Sequence, residues 1–216
     1  MQITIREPGS AITHFIGMMM AVFAAIPLLV KTAAGSSAAS LTSMSIFILS
    51  MILLYGASAT YHSINVSEKV IKVFRKIDHM MIFILIAGSY TPVCMIVLGG
   101  KSGYTLLAIV WGIAAVGIGI KAFWITCPKW FSSIIYIAMG WVCIGVFGPL
   151  WHTLPASAFL WLLAGGIIYT IGGIIYALKL PIFNSKHANF GSHEIFHLFV
   201  MGGSICHFIF MYLYVA

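Results

Sequence analysis

Apolar residues run along this chain in seven long blocks, each closed by a short polar break. The blocks cover about 11–33, 41–63, 79–98, 104–121, 132–151, 157–178 and 194–215. A helix crosses a hydrocarbon core with roughly 17–25 apolar residues, so each block predicts one span. The breaks at Ala34–Ser40, Asn65–Ile77, Gly99–Gly103, Ala122–Phe131, His152–Ala156 and Lys179–Ser192 leave no room for a soluble domain. The pattern predicts an all-α membrane protein, a seven-transmembrane helix bundle in which residues 1–216 form one domain. The first block is longer than the roughly 7–15-residue core of a signal peptide and reads as a span. Glycines crowd the blocks (Gly112, Gly117, Gly165, Gly166, Gly172, Gly173), as close helix–helix packing requires.

Composition narrows the class further. Of 216 residues, 62% are hydrophobic and only 7% are charged, against about 25% charged in a soluble domain. The mean hydropathy is +1.08. A water-soluble globule and a disordered chain are both excluded, since the first needs a charged surface and the second few apolar residues. The acidic residues are Glu7, Glu68, Asp78 and Glu194.

The net charge of +7 is a matter of placement. Arg6, Lys69, Lys72, Arg75, Lys76, Lys121, Lys129, Lys179 and Lys186 fall on one side of the predicted membrane, and only Lys31 and Lys101 on the other. Basic residues gather in short cytosolic loops. The N-terminus is therefore expected in the cytosol and the C-terminus outside, in a multi-pass protein of the cell membrane. The basic balance is spent on topology, so the expected partners are membrane lipids and not nucleic acid. Cys94, Cys127, Cys143 and Cys206 are scattered with no CxxC pair, which argues against a disulfide framework or zinc ribbon.

Ionisable groups at membrane depth carry the candidate chemistry, because a charge at the bilayer centre costs about 2.5–3.5 kcal/mol or more. His193-Glu194-Ile195-Phe196-His197 opens the seventh block. Residues four apart share a helical face, so both imidazoles can reach one metal ion. The string also matches HExxH, the zincin pattern in which the glutamate is the base. Ser58 and His62 stack one turn apart at the end of the second block, and Asp78 precedes the third. Under the predicted topology His62, Asp78, His193 and His197 converge at one depth from three helices. Three histidines suit Zn²⁺ and leave a fourth position for water, with Asp78 placed to orient that water or take its proton. Ser58 lies within reach of a carboxamide or of that water.

The remaining histidines divide by position. His207 is ten residues beyond His197, roughly 15 Å along a helix, and reads as a packed helix residue. His14 lies at the matching end of the first block without a partner at ligand spacing; a supporting place beside the site is its less favoured reading. His79 points about 100° from Asp78, so the two do not both face the metal. His152 and His187 read as solvated loop residues, and Glu7 and Glu68 as ordinary cytosolic charges.

These residues resemble the hemolysin III branch of the progestin and adipoQ receptor family, which includes the adiponectin receptors. The matching strings are EPGSAITH (Glu7 to His14), SATYH (Ser58 to His62), Asp78-His79 continuing to AGSYTP (Ala87 to Pro92), AMGW (Ala138 to Trp141), HEIFH (His193 to His197) and GGSICH (Gly202 to His207). The resemblance implies a seven-helix bundle with zinc near the cytosolic leaflet. It implies His62, His193 and His197 as zinc ligands, Asp78 on the zinc-bound water and Ser58 beside the site. The wider superfamily contains alkaline ceramidases, which implies zinc-dependent hydrolysis of a lipid amide substrate. The family's HxxxH pattern does not require glutamate, so Glu194 does not inherit the zincin role. The chain lacks the long N-terminal region and C-terminal tail of the receptors, which favours the compact bacterial branch. Two other functions compete. One is an intramembrane protease built on Glu194; the other is a receptor-like, membrane-homeostasis or haemolysin-like protein whose zinc is structural.

Overall fold

A computed structural model describes residues 5–35, 37–178 and 190–216. Among these residues, seven helical segments are long and apolar enough to cross a membrane: Pro8–Gly35, Ala38–Ser63, Glu68–Leu98, Gly100–Phe123, Lys129–Thr153, Ala156–Leu178 and Ser192–Val215. They are called here the first to seventh spans. No strand occurs among the described residues, so this is an all-α membrane bundle. Large apolar side chains such as Phe23, Ile26, Val30, Val116 and Leu160 stand exposed on its outside, where lipid and not water suits them.

Two departures from the hydropathy pattern have physical causes. The third helix begins at Glu68, eleven residues before the apolar block does. Hydropathy reads where a helix enters hydrocarbon, not where it starts. Lysine and arginine are good helix formers, so Lys69, Lys72, Arg75 and Lys76 extend the helix beyond the apolar layer instead of forming a loop. Lys121, the last residue of the fourth block and counted with the charges that follow it, is likewise inside the fourth span and only 2% exposed. Its Nζ donates to Ser132 Oγ at 2.5 Å and Cys127 Sγ at 3.1 Å.

The fifth span is broken in mid-course. It runs as an α-helix over Lys129–Gly140, tightens into a 3₁₀ turn over Val142–Val146, and resumes at Phe147–Thr153. Pro149 has no N–H to offer the carbonyl of Gly145, and its ring crowds that carbonyl. Within a membrane the freed backbone groups need partners. Tyr90 supplies them: its hydroxyl donates to Gly140 O at 2.6 Å and accepts from Cys143 N at 3.1 Å. Trp141 Nε1 adds a bond to Thr170 Oγ1 at 2.8 Å.

The first span packs against the second and seventh. At one end Lys31 Nζ caps the seventh span by donating to Tyr212 O at 2.5 Å. At the other, Glu7 N donates to His62 O at 3.0 Å. The second and third spans approach where a Cβ on Gly88 would collide with the Ser50 side chain. Gly88→Ala is expected to cost about 1–3 kcal/mol, the usual overpacking range. Gly112→Ala, at a position with nothing within 4 Å, is expected to be near neutral. Thermal unfolding of the two variants in detergent checks the pair, and equal melting temperatures would refute the close approach.

Candidate metal centre

Three histidines meet at the end of the bundle where the second span finishes and the seventh begins. His62 is 1% exposed and His197 2%, and His193 lies beside them. One ligand atom from each lies within 4.8 Å of the other two. His62 Nε2 and His193 Nε2 are 3.3 Å apart. Helical spacing explains the pair from the seventh span, and the His62 side chain reaches it from the end of the second.

The outward-facing nitrogens decide what the inward ones can do. His62 Nδ1 hydrogen-bonds the Glu7 carboxylate. The imidazole beside it holds the Glu7 carboxyl below the usual carboxylate value. His197 Nδ1 lies 3.2 Å from Thr13 Oγ1. Thr13 directs its own hydrogen to the carbonyls of Gly9 and Ser10 at 2.9 and 3.0 Å, so it accepts from His197. Both rings therefore carry their proton on Nδ1 and turn a bare Nε2 inward. A lone pair aimed at another Nε2 at 3.3 Å repels unless a proton or cation lies between. Two imidazoles bound to one tetrahedral ion at about 2.0–2.1 Å would sit roughly 3.3 Å apart. The cluster fits a metal ion on spacing, on tautomer and on its carboxylate-backed ligand.

Glu7 and Thr13 are partners of the cluster histidines that the sequence reading missed. Glu7 in particular is not an ordinary cytosolic charge, as expected, but the partner of a cluster histidine. The signal lay in EPGSAITH, where Glu7, Ser10, Thr13 and His14 recur at a helical period. Glu7→Gln is expected to weaken metal binding by about 10–100-fold, the usual effect of losing such a carboxylate. Competition against a chromophoric chelator measures it, and an unchanged affinity would remove Glu7 from the centre.

The other residues fall into place around this core. Asp78 is 8% exposed. Its Oδ2 lies 3.2 Å from His79 Nδ1, and the Ser58 hydroxyl hydrogen-bonds its carboxylate. Glu194 is turned elsewhere: it accepts from Gly191 N at 2.7 Å, capping its own helix, and from Ser10 Oγ at 2.5 Å. His14 is buried and stacked on His197. His207 sits apart, 3.3 Å from Leu162 O, and His152 is exposed. His187 lies outside the described residues. The cysteines are all free.

A cavity of about 160 Å³ opens from this cluster into the bundle. Asp78, Ser58, His193 and His197 line one part of it. The third span contributes Asp78, Ile82, Leu85, Ser89 and Val93 to its wall. That is one helical face, roughly 22 Å long at 1.5 Å per residue.

Comparison with known proteins agrees with this architecture. A family model described as haemolysin-III related matches residues 2–208. Hemolysin-3 of Bacillus cereus is 40% identical over 97% of this chain and 92% of its own length. The hemolysin-3 homolog of Bacillus subtilis is 39% identical over 95% and 92%. The progestin and adipoQ receptor-like protein 1 of Caenorhabditis elegans is 28% identical over 94% of this chain, which spans 50% of that receptor. A seven-span bundle matched along nearly its whole length by these proteins is an integral multi-pass membrane protein of the hemolysin III branch of the progestin and adipoQ receptor family.

Proposed function

We propose that this chain is a zinc-dependent hydrolase of lipid amides, working at the cytosolic leaflet of the cell membrane. The observation that carries the reading is a cavity lined at one end by His193 and His197 of the three-histidine cluster and by the buried Asp78 carboxylate, with apolar walls beyond. Such a shape suits a ligand with a polar reacting group and a long acyl tail.

His62, His193 and His197 would hold the zinc, on the spacing and tautomers described above. Bound there, zinc supplies Lewis acidity and makes a water molecule nucleophilic near neutral pH. Asp78 accepts the proton of the attacking water and returns it to the leaving nitrogen. The water oxygen bonds to the carbonyl carbon, the C–N bond breaks, and a fatty acid and an amine are released. Ser58 and His79 hold the Asp78 carboxylate in place. The apolar walls at Ile82, Leu85 and Ile86 receive the tail and keep bulk water from the reacting carbonyl. Glu194, committed to Gly191 and Ser10, leaves no base for the protease alternative.

The test is fatty-acid release from ceramide and N-acyl ethanolamine by purified protein in liposomes, with and without a zinc chelator. Chelator-sensitive release is expected. A second reading, a membrane-homeostasis protein with structural zinc, draws on the way the cluster ties the start of the first span to the second and seventh. Chelation that melts the bundle, with no release across the amide panel, would favour it and sink the hydrolase.

A further inference from the structure

The mechanism leaves one buried polar side chain at the metal end of the cavity without work. His14 is 4% exposed and lines the same cavity as Ser58, Asp78, His193 and His197. Its ring lies flat on His197, with centroids 3.6 Å apart and planes 9° from parallel. The Tyr55 ring meets it edge-on at 5.1 Å. Neither of its ring nitrogens has a hydrogen-bond partner within the protein. Nor does it belong to the three imidazoles whose ligand atoms lie within 4.8 Å of one another, so it is not a fourth metal ligand.

Burying two polar nitrogens with no partner is costly, and an apolar ring would fill the slot and stack on His197 without that cost. A histidine in this position needs a hydrogen-bonding ligand. Ser58 and Asp78 are engaged with each other, and His197 with Thr13. His14, with both ring nitrogens unpartnered and its ring on His197, is placed as a donor to a polar group entering beside the cluster; Ser133 Oγ, also unpartnered on the cavity wall, belongs to the fifth span. The apolar wall formed by Ile82, Leu85, Ile86, Leu162 and Leu163 marks that ligand as an acyl compound, with its oxygen at the cluster and its tail within.

We infer that His14 binds the acyl oxygen of the ligand: the carbonyl of the lipid amide, or the carboxylate of the fatty acid released from it. This rests on the hydrolase reading above and adds a residue that touches substrate. It makes His14 a catalytic residue, distinct from Glu7 and Thr13, which act through the metal ligands.

The test uses full-length, zinc-loaded protein in phosphatidylcholine nanodiscs and palmitate carrying ¹³C in its carboxyl group. His14→Phe keeps the ring on His197 and removes the nitrogens; His14→Gln restores an amide donor. His14→Phe is expected to weaken palmitate binding by at least about tenfold, the effect of one lost hydrogen bond to a charged group. Zinc content should be unchanged, the bound carboxyl resonance should move between wild type and His14→Phe, and His14→Gln should recover much of the affinity. Palmitate bound equally by wild type and His14→Phe would overturn the role of His14 alone. Zinc lost together with palmitate in His14→Phe would overturn it too, making His14 a prop for His197. A wild type that binds no palmitate would sink the acyl-ligand reading beneath the inference as well.

Discussion

Purified protein is expected to carry one zinc ion per chain, and His193→Ala is expected to reduce that to near zero. Three imidazoles are the whole protein ligand set of this cluster among the described residues, so losing one leaves two. Two neutral ligands in an apolar setting bind a divalent ion poorly. The loss should also appear as stability. A metal bound at 100 times its dissociation constant stabilises the native state by about 2.7 kcal/mol. A chelator should therefore lower the melting temperature of the wild type and leave that of His193→Ala unchanged. Metal analysis together with thermal unfolding checks both halves. A wild type free of bound metal, or a His193→Ala protein that keeps it, would end the metal argument.

The second large effect is expected at Asp78. Asp78→Asn preserves the shape of the side chain and can still bond Ser58, but it no longer accepts a proton. Proton transfer by a placed side chain contributes about 10²–10⁴-fold to rate, so turnover should fall by that factor. Zinc content should stay at the wild-type level, because Asp78 is not among the three clustered ligands. Fatty-acid release from a lipid amide, normalised to bound zinc, is the measurement. Glu194→Gln is the informative control: its carboxylate caps a helix and holds Ser10, so stability should change more than turnover. Full activity in Asp78→Asn would require another base. Activity lost in Glu194→Gln but kept in His62→Ala would revive the protease reading.

How far the sequence could be read depended on the distance over which each feature is decided. The seven spans follow from blocks of apolar residues, and the HxxxH spacing from the pitch of one helix. Both are local. Hydropathy failed at the start of the third helix because charge excludes a segment from hydrocarbon and not from a helix. It also missed the break at Trp141–Val146, where Pro149 acts on an otherwise apolar block.

The centre shows the same division more sharply. His62, His193, His197, Asp78 and Ser58 stood out because polar residues are expensive at membrane depth. Glu7 and Thr13 did not, because each sits at the start of a helix, where glutamate and threonine are ordinary. Their importance lies in contacts across 55 and 184 residues of sequence. His14 carried a signal, but its stacking on His197 could not be read from spacing.

The sequence by itself determined that this is a membrane bundle, how many times it crosses, and which rare polar residues it keeps there. Those properties arise from transfer free energy and helical period, which act residue by residue. Only the tertiary structure decided that Glu7 and Thr13 turn His62 and His197 inward, that Glu194 caps a helix, and that His14 is left facing a cavity. Those outcomes depend on which side chains of separate helices meet, and hydrogen bonds formed over a few ångströms settle them.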